Sequence, residues 1–190
     1  MTKDDVITLP NSHLRERSKK VGFITDDIKK LISDMEEATL DWEASREHEV
    51  GVALAAVQTD KALRIVIIRN NFDNKDDKSF SIFINPIITK YEGELQEDYE
   101  GCLSIPDIYG KVERYSKVRV KALDENGKEI RLTAEGFLAR VFQHEIDHTN
   151  GILFIDHIKN NPSAFFVLQD DGHLKELDYE KNIRNNHILW

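Results

Sequence analysis

The sequence QHEIDH contains two histidines, His144 and His148, four positions apart, with Glu145 between them. On a helix, residues four apart project from the same face, so both imidazoles can bind one metal ion. Glu145 is poorly placed to be a third ligand but well placed to accept a proton from a metal-activated water. The alternative is a helix with two surface histidines, but Phe137 and Val141 make its preceding turns apolar, which favours a buried metal site.

A catalytic metal site with two histidines is one protein ligand short, since such sites usually use three ligands and leave a fourth position for water. No further histidine follows HEIDH at the spacing of the metzincin motif. Cys102, the only cysteine, lies upstream in the sequence EGCLS. Its thiolate would complete a Cys, His, His ligand set; the alternative for a lone cysteine is a small core residue.

Three segments, in order, resemble the signature motifs of the peptide deformylase family. They are GVALAAVQ at residues 51–58, EGCLS at 100–104 and QHEIDH at 143–148. The first departs from the family pattern at Ala53, where glycine is usual. Three motifs in the correct order are far more specific than HExxH alone. The resemblance implies an enzyme that removes the N-formyl group from the starting methionine of nascent polypeptides and releases formate.

The resemblance also implies a metal site. Cys102, His144 and His148 would bind one divalent ion, for which the family favours Fe²⁺ and the same ligands also suit Zn²⁺, Ni²⁺ or Co²⁺. Glu145 would serve first as the general base and then as the acid that returns the proton to the departing amine.

Further roles follow from the EGCLS and AAVQ motifs. The resemblance implies that the Gln58 side-chain amide and the Leu103 backbone N–H stabilise the oxyanion formed from the formyl group. Glu100 would support the metal ligands, paired with Arg114, or would belong to a solvated acidic turn. Gly101 would let the backbone pass close to the metal loop.

The family pattern also predicts eight positions that contact substrate: Val52, Ala53, Leu54, Ile105, Tyr109, Gly110, Phe137 and Val141. Val52, Phe137 and Val141 would line the methionine pocket, although each suits an ordinary core equally well. Tyr109 falls where many relatives carry a substrate-contacting arginine. Ala53 and Tyr109 are therefore two departures from the family pattern at positions that would contact the substrate, and the family's recognition of the peptide beyond methionine is not carried over to this chain.

Two rival functions are open. A zincin-like peptidase would use HEIDH against internal peptide bonds, but it leaves EGCLS and Gln58 unexplained. A noncatalytic protein with a structural metal would need ligands and no base, which does not account for Glu145.

Two helices are predicted to flank these motifs. The first begins at Thr25, whose hydroxyl can cap it, and runs to about residue 44. Its apolar stripe consists of Ile28, Leu31, Ile32, Met35, Ala38 and Trp42. The second begins at about Ala134, carries QHEIDH in its last turns and ends at Gly151.

Strands are predicted at residues 64–68 and 80–84, where short runs are rich in β-branched and aromatic residues. Asn126-Gly127 predicts a hairpin between residues 117–123 and 128–132, and Asp171-Gly172 predicts another between 165–168 and 174–177. The whole predicts an α+β fold in which antiparallel or mixed β-sheets pack around the central HExxH helix.

The chain of 190 residues suits a single domain spanning residues 1–190. Its formal net charge of −9 disfavours binding to DNA. No apolar run is long enough for a membrane span, and the start MTKDDVITLP lacks the layout of a secretion signal, so we expect a cytoplasmic protein without membrane association. Residues 157–190 are not basic, so the helix with which many relatives dock on the ribosome is not expected, although proximity to the ribosome is possible.

Overall fold

The computed structural model describes residues 1–184. Within them, runs of strands and runs of helices follow one another in an α+β arrangement. The helices are α1 (Asp26–Ala44), α2 (Gly136–Thr149) and α3 (Phe154–Ile158), and the strands are β1 (Ala53–Ala55), β2 (Ile65–Arg69), β3 (Phe80–Cys102), β4 (Ile105–Leu123), β5 (Glu129–Glu135), β6 (Phe165–Leu168) and β7 (Leu174–Glu176).

The strands form one antiparallel sheet. Its order is β1-β2-β3-β4-β6-β7, and β5 pairs with the other end of β4. Successive strand residues point to opposite faces, so Val66 packs in one core cluster while its neighbours Ile65 and Ile67 pack in another. The first cluster includes residues of α2 and the second includes residues of α1. The sheet therefore separates the two long helices.

Helix α1 matches its prediction closely. The Thr25 hydroxyl accepts a hydrogen bond from the Ile28 backbone N–H, and the residues of the predicted stripe are buried except for Ile28, which is partly buried. Burial of this stripe against the sheet is the reason that the amphipathic segment becomes a helix here.

Helix α2 contributes Val141, Phe142 and Ile146 to the core. The chain leaves it through Gly151, which has a φ of +75°. A β-carbon at this position would lie 2.3 Å from the Arg15 carbonyl oxygen, so glycine is required both for the left-handed conformation and for the close approach. The predicted terminator of the HExxH helix is confirmed.

Strands β3 and β4 are much longer than the predicted segments at residues 80–84 and 117–123. Their pairing is interrupted by four register shifts, including one between Glu92 and Leu95 and one between Glu100 and Cys102. These bulges break the simple alternation of buried and exposed residues by which a strand is recognised. The extension is important because β3 ends at Cys102, which pairs with Ile105 across a two-residue turn.

The predicted hairpin of β6 and β7 is present, and one turn of π-helix follows at Glu180–Arg184. The prediction for residues 157–190 also concerns residues 185–190, which lie outside the described residues. Among residues 1–184, no helix is both long and apolar enough to cross a bilayer.

The contact between α2 and the sheet predicts a large stability effect at Phe142. Its ring meets that of Phe83 edge to face, with ring centroids 4.8 Å apart. We expect Phe142→Ala to lower the free energy of unfolding by about 3–5 kcal/mol in urea titrations of the metal-free protein. Phe23→Ala is the control, because Phe23 is 87% exposed and its loss should change that free energy by less than about 0.5 kcal/mol. Equal effects of the two substitutions would contradict this packing.

Candidate metal centre

The structure brings together three possible metal ligands that are distant in sequence. The Nε2 atoms of His144 and His148 are 3.2 Å apart, and Cys102 Sγ is 3.3 Å from His148 Nε2. All three donor atoms lie within 4.8 Å of one another, and all three residues are buried. The helix supplies the two imidazoles and the end of β3 supplies the thiol.

This geometry fits a tetrahedral metal ion. An ion with bonds of ~2.1 Å to nitrogen and ~2.3 Å to sulfur keeps its ligand atoms roughly 3.3–3.6 Å apart. The observed separations of 3.2 and 3.3 Å agree with that spacing. Burial lowers the pKa of His148 well below its ordinary value, so its imidazole is neutral and has a lone pair to share.

Glu100 holds His144 in the orientation that a ligand requires. His144 Nδ1 is 3.0 Å from Glu100 Oε2, while Arg114 donates through Nε at 2.9 Å to Oε1 and through Nη2 at 3.1 Å to Oε2. Burial alone would raise the pKa of Glu100, but the hydrogen bonds from His144 and Arg114 bring it well below its usual range. The ionised carboxylate therefore accepts from His144 Nδ1–H and leaves Nε2 free to bind a metal.

The surroundings of His144 favour a positive charge at its ring. Burial would lower its pKa, but hydrogen bonds with Cys102 and Glu100 raise the pKa well above the ordinary value for histidine. The environment of these two groups thus favours a cation between them. A divalent ion bound by Cys102 and His144 would supply the positive charge that the proton otherwise supplies.

Glu145 lies beside the three ligand residues and lines the adjacent cleft. Burial raises the pKa of its carboxyl group to about 7. Its Oε2 atom is buried and has no hydrogen-bond partner within residues 1–184. A carboxyl group with a pKa near neutrality and an unsatisfied oxygen is suited to exchanging protons with a bound molecule.

Gln58 reaches the ligand cluster from the short helix at Ala56–Thr59. Its Oε1 accepts from the Ala55 backbone N–H at 2.9 Å, which fixes the amide orientation. Its Nε2 therefore faces Ser104 Oγ at 3.1 Å and Cys102 Sγ at 3.5 Å. The amide donor is held next to the predicted ligand, and Leu103 lines the same cleft.

The cleft at this centre has a volume of about 280 Å³. Small-molecule sites usually have volumes of roughly 300–1,000 Å³, so this cleft is at the small end of that range. It includes five of the eight predicted substrate positions, which are Val52, Ala53, Tyr109, Phe137 and Val141. Gly101 is also in its wall, but for a different reason from the one expected. A β-carbon there would lie 2.6 Å from Cε1 of Tyr109, so the glycine makes room for an aromatic ring.

The structure does not bring Leu54, Ile105 or Gly110 into the cleft wall. Leu54 is fully buried on the face of the sheet that packs against α1, because strand residues alternate and its neighbour Ala53 takes the cleft side. Ile105 is buried in a third cluster with residues of α3. The backbone of Gly110 packs against Phe154 and Ile158, opposite the side taken by Tyr109.

Several cleft residues lie outside the predicted set, among them Trp42, His48, Glu49, Tyr99 and Arg140. His48 and Glu49 lie between α1 and β1, and no sequence motif covers that connection, so the sequence did not indicate a role for them. The sequence could have indicated Arg140, because it lies four residues before His144 and therefore on the same face of the helix.

Glu49 and Tyr109 form a contact between two walls of the cleft. The Tyr109 hydroxyl donates to Glu49 Oε1 at 2.6 Å. Arg46, on the same loop as Glu49, forms an ion pair with Asp107 and lies 5.4 Å from the centre of the Trp42 ring. These contacts tie the loop after α1 to the beginning of β4.

The sequence is similar to known proteins over most of its length. The family model of polypeptide deformylase matches residues 3–163. Peptide deformylase 1 of Pseudomonas syringae pv. tomato is 43% identical over 157 residues, which cover 82% of this chain and 87% of that protein. Peptide deformylase 2 of Clostridium acetobutylicum is 46% identical over 143 residues, which cover 75% and 87%.

The fold gives the same result. The crystal structure of a peptide deformylase from Synechococcus elongatus in complex with actinonin matches with a TM-score of 0.74 and 36% sequence identity, covering 82% of this chain and 80% of that one. The α+β prediction is confirmed by this match. The chain therefore belongs to the polypeptide deformylase family of enzymes.

Proposed function

We propose that this protein hydrolyses the N-terminal formyl group of N-formylmethionyl nascent polypeptides and releases formate. The observation that carries the proposal is the convergence of Cys102, His144 and His148 next to the buried carboxyl group of Glu145. Membership of the polypeptide deformylase family supports the same reaction. A divalent metal held by these three ligands would supply Lewis-acid activation of water and of the formyl carbonyl.

Glu145 acts as the proton carrier in this reaction. It accepts a proton from the attacking water, because a pKa of about 7 leaves a large fraction of the carboxyl group ionised at neutral pH. It then returns the proton to the amine that leaves as the formamide C–N bond breaks. Its unpartnered Oε2 is the atom available for this exchange.

The formyl oxygen gains negative charge as the water attacks. The Gln58 amide stabilises this charge together with the backbone N–H of Leu103. Support for Gln58 comes from its fixed orientation, since the bond to Ala55 N–H directs Nε2 towards the ligand cluster. The Gln58 amide is oriented before the reaction begins, so this donor needs little reorganisation as the charge develops.

The substrate methionine occupies the apolar part of the cleft. Val52, Ala53, Phe137 and Val141 line it, and its volume of about 280 Å³ accommodates one unbranched side chain with a short length of peptide. Phe137 is 46% exposed, so its ring can cover a bound side chain at the cleft mouth.

The metal and the setting complete the proposal. We infer one divalent ion. A cysteine with two histidines suits iron, zinc, cobalt and nickel alike, and the family resemblance favours iron(II) in the cell. Anaerobic purification followed by elemental analysis tests this choice, and stoichiometric zinc with no iron would refute it. A cytoplasmic location and independence from a ribosome-docking helix stay predictions.

One assay separates this function from its rivals. We expect the protein to release formate from formyl-Met-Ala-Ser. We expect no cleavage of the control peptide acetyl-Met-Ala-Ser, which carries an acetyl group in place of the formyl group. Cleavage of an internal peptide bond would indicate a zincin-like peptidase. A metal-loaded protein that hydrolyses neither would indicate a noncatalytic site.

Glu145 and Cys102 should differ in what their loss removes. Glu145→Gln keeps the three ligands and the side-chain shape, so we expect bound metal at the wild-type level and kcat lower by about 10²–10⁴-fold. Cys102→Ala removes a ligand, and we expect it to lose both metal and turnover. Metal content and formate release are measured on the same samples, and wild-type turnover in Glu145→Gln contradicts the proposed base.

Gln58→Leu should weaken stabilisation of the transition state. Loss of one oxyanion donor costs about 3 kcal/mol, so kcat should fall by about 10²–10³-fold with a smaller change in KM. Ser104→Ala is the control, because it removes the other polar partner of Gln58 Nε2 and leaves the amide in place. A loss confined to KM, or an equal loss in Ser104→Ala, would assign Gln58 to substrate binding or packing.

Tyr109→Phe tests recognition beyond methionine. The substitution removes the hydroxyl that donates to Glu49, one of the two contacts that tie the loop after α1 to β4. We expect KM for formyl-Met tripeptides to rise several-fold, with kcat unchanged and with little effect on formyl-Met amide. Tyr91→Phe is the matched control, since Tyr91 is 51% exposed and lies outside the cleft. An equal KM change for long and short substrates would contradict a role beyond the first residue.

A further inference from the structure

Arg140 is a buried arginine for which the proposed reaction has no role. It lies on α2, four residues before His144, and only 6% of its surface is exposed. A guanidinium group is costly to bury unless its donors are satisfied. The groups that Arg140 binds therefore bear on the predicted metal ligand His144, which lies on the same helix.

Within residues 1–184, the acceptors of Arg140 all belong to β3, which ends at Cys102, and to β4, which follows it. Its Nη1 donates to Glu100 Oε1 at 2.9 Å and to the Val112 carbonyl at 2.7 Å, and its Nη2 donates to the Gln96 carbonyl at 2.6 Å. A longer contact of 3.4 Å reaches the Asp98 carbonyl. One side chain thus links α2 to β3 and β4 close to the point where the thiol and the imidazoles meet.

Glu100 is the common partner of the network. It receives two hydrogen bonds from Arg114, one from Arg140 and one from His144 Nδ1. Arg114 Nη1 also donates to Asp147 Oδ2 at 2.6 Å. Two guanidinium groups therefore face two carboxylates, which allows the charge of Glu100 to remain buried and fixed.

We propose that Arg140 is a positioning residue for the metal centre. By holding Glu100 and the end of β3 against α2, it fixes the separation between Cys102 Sγ and the histidine nitrogens. It acts through Glu100 and the backbone rather than on substrate, because both Nη atoms are bound to protein acceptors. The inference rests on the proposed function in one respect, the identity of the three metal ligands.

Arg140→Met tests the proposal because it keeps an unbranched apolar side chain, about as long as the aliphatic part of arginine, and removes every hydrogen-bond donor. The full-length protein is loaded with Co²⁺, and its release to excess EDTA is followed by the loss of the Co²⁺ absorption bands. Loss of a group that supports a metal ligand typically weakens metal affinity by about 10–100-fold. We expect release to be accelerated to that extent, with a changed absorption spectrum before release and a fall in kcat larger than any change in KM.

Arg69→Met is the matched control for burial. Arg69 is 1% exposed and, like Arg140, binds one carboxylate and two backbone carbonyls, those of Asp77 and Lys75, but none of these partners contacts a metal ligand. It should lower the unfolding temperature while leaving Co²⁺ release and the spectrum as in wild type. Wild-type release in Arg140→Met, or equal acceleration in Arg69→Met, would overturn the proposal.

Arg140→Lys serves if Arg140→Met does not fold. It keeps the charge but replaces the two Nη groups by a single nitrogen, so we expect a Co²⁺ release rate between those of wild type and Arg140→Met. A release rate and spectrum identical to wild type would refute the positioning role. The metal measurements need no deformylation, so an inactive protein with Arg140-dependent metal release would refute the proposed function alone.

Discussion

The buried, ionised carboxylate of Glu100 is the interaction on which the centre depends. A negative charge in the protein interior is unfavourable unless several donors compensate it. Here the donors come from β4 through Arg114 and from α2 through Arg140 and His144. Satisfying this one group therefore joins the sheet to the helix. The ligand geometry is a consequence of that charge compensation, since Cys102 follows Glu100 by only two residues.

The antiparallel sheet explains how one chain can build both a rigid floor and an open cleft. Its two faces are covered by different helices, so each strand residue contributes to one side only. The cleft lies on the side of α2, where Glu49 of the loop after α1 accepts a hydrogen bond from Tyr109 of β4. The metal ligands lie on regular elements, while the substrate walls include this loop. Such a division holds the reactive groups still and leaves peptide selection to a more variable segment.

The sequence was sufficient for the parts of the site that depend on local periodicity. His144 and His148 follow from helical spacing, and the ends of α1 and α2 follow from Thr25 and Gly151. The pairing of Glu100 with Arg114 was one of two open readings, and the contacts between these side chains are present. Leu54 and Gly110 do not line the cleft, and motif position alone does not reveal which face of a strand a residue takes. The loop residue Glu49 and the bulged length of β3 depend on tertiary contacts between segments far apart in sequence, which no local pattern encodes.

The two-residue turn between β3 and β4 limits which insertions and deletions the sequence can accept in evolution. Cys102 is the last residue of β3, and Ile105 opposite it begins β4. Because side chains alternate along a strand, one inserted or deleted residue just before the cysteine would rotate its sulfur to the opposite face, away from both imidazoles. Length variation is therefore excluded at this hairpin tip. An insertion in the connection at residues 70–79 would displace no metal ligand, but it would disturb the Asp77 and Lys75 carbonyls that accept from buried Arg69.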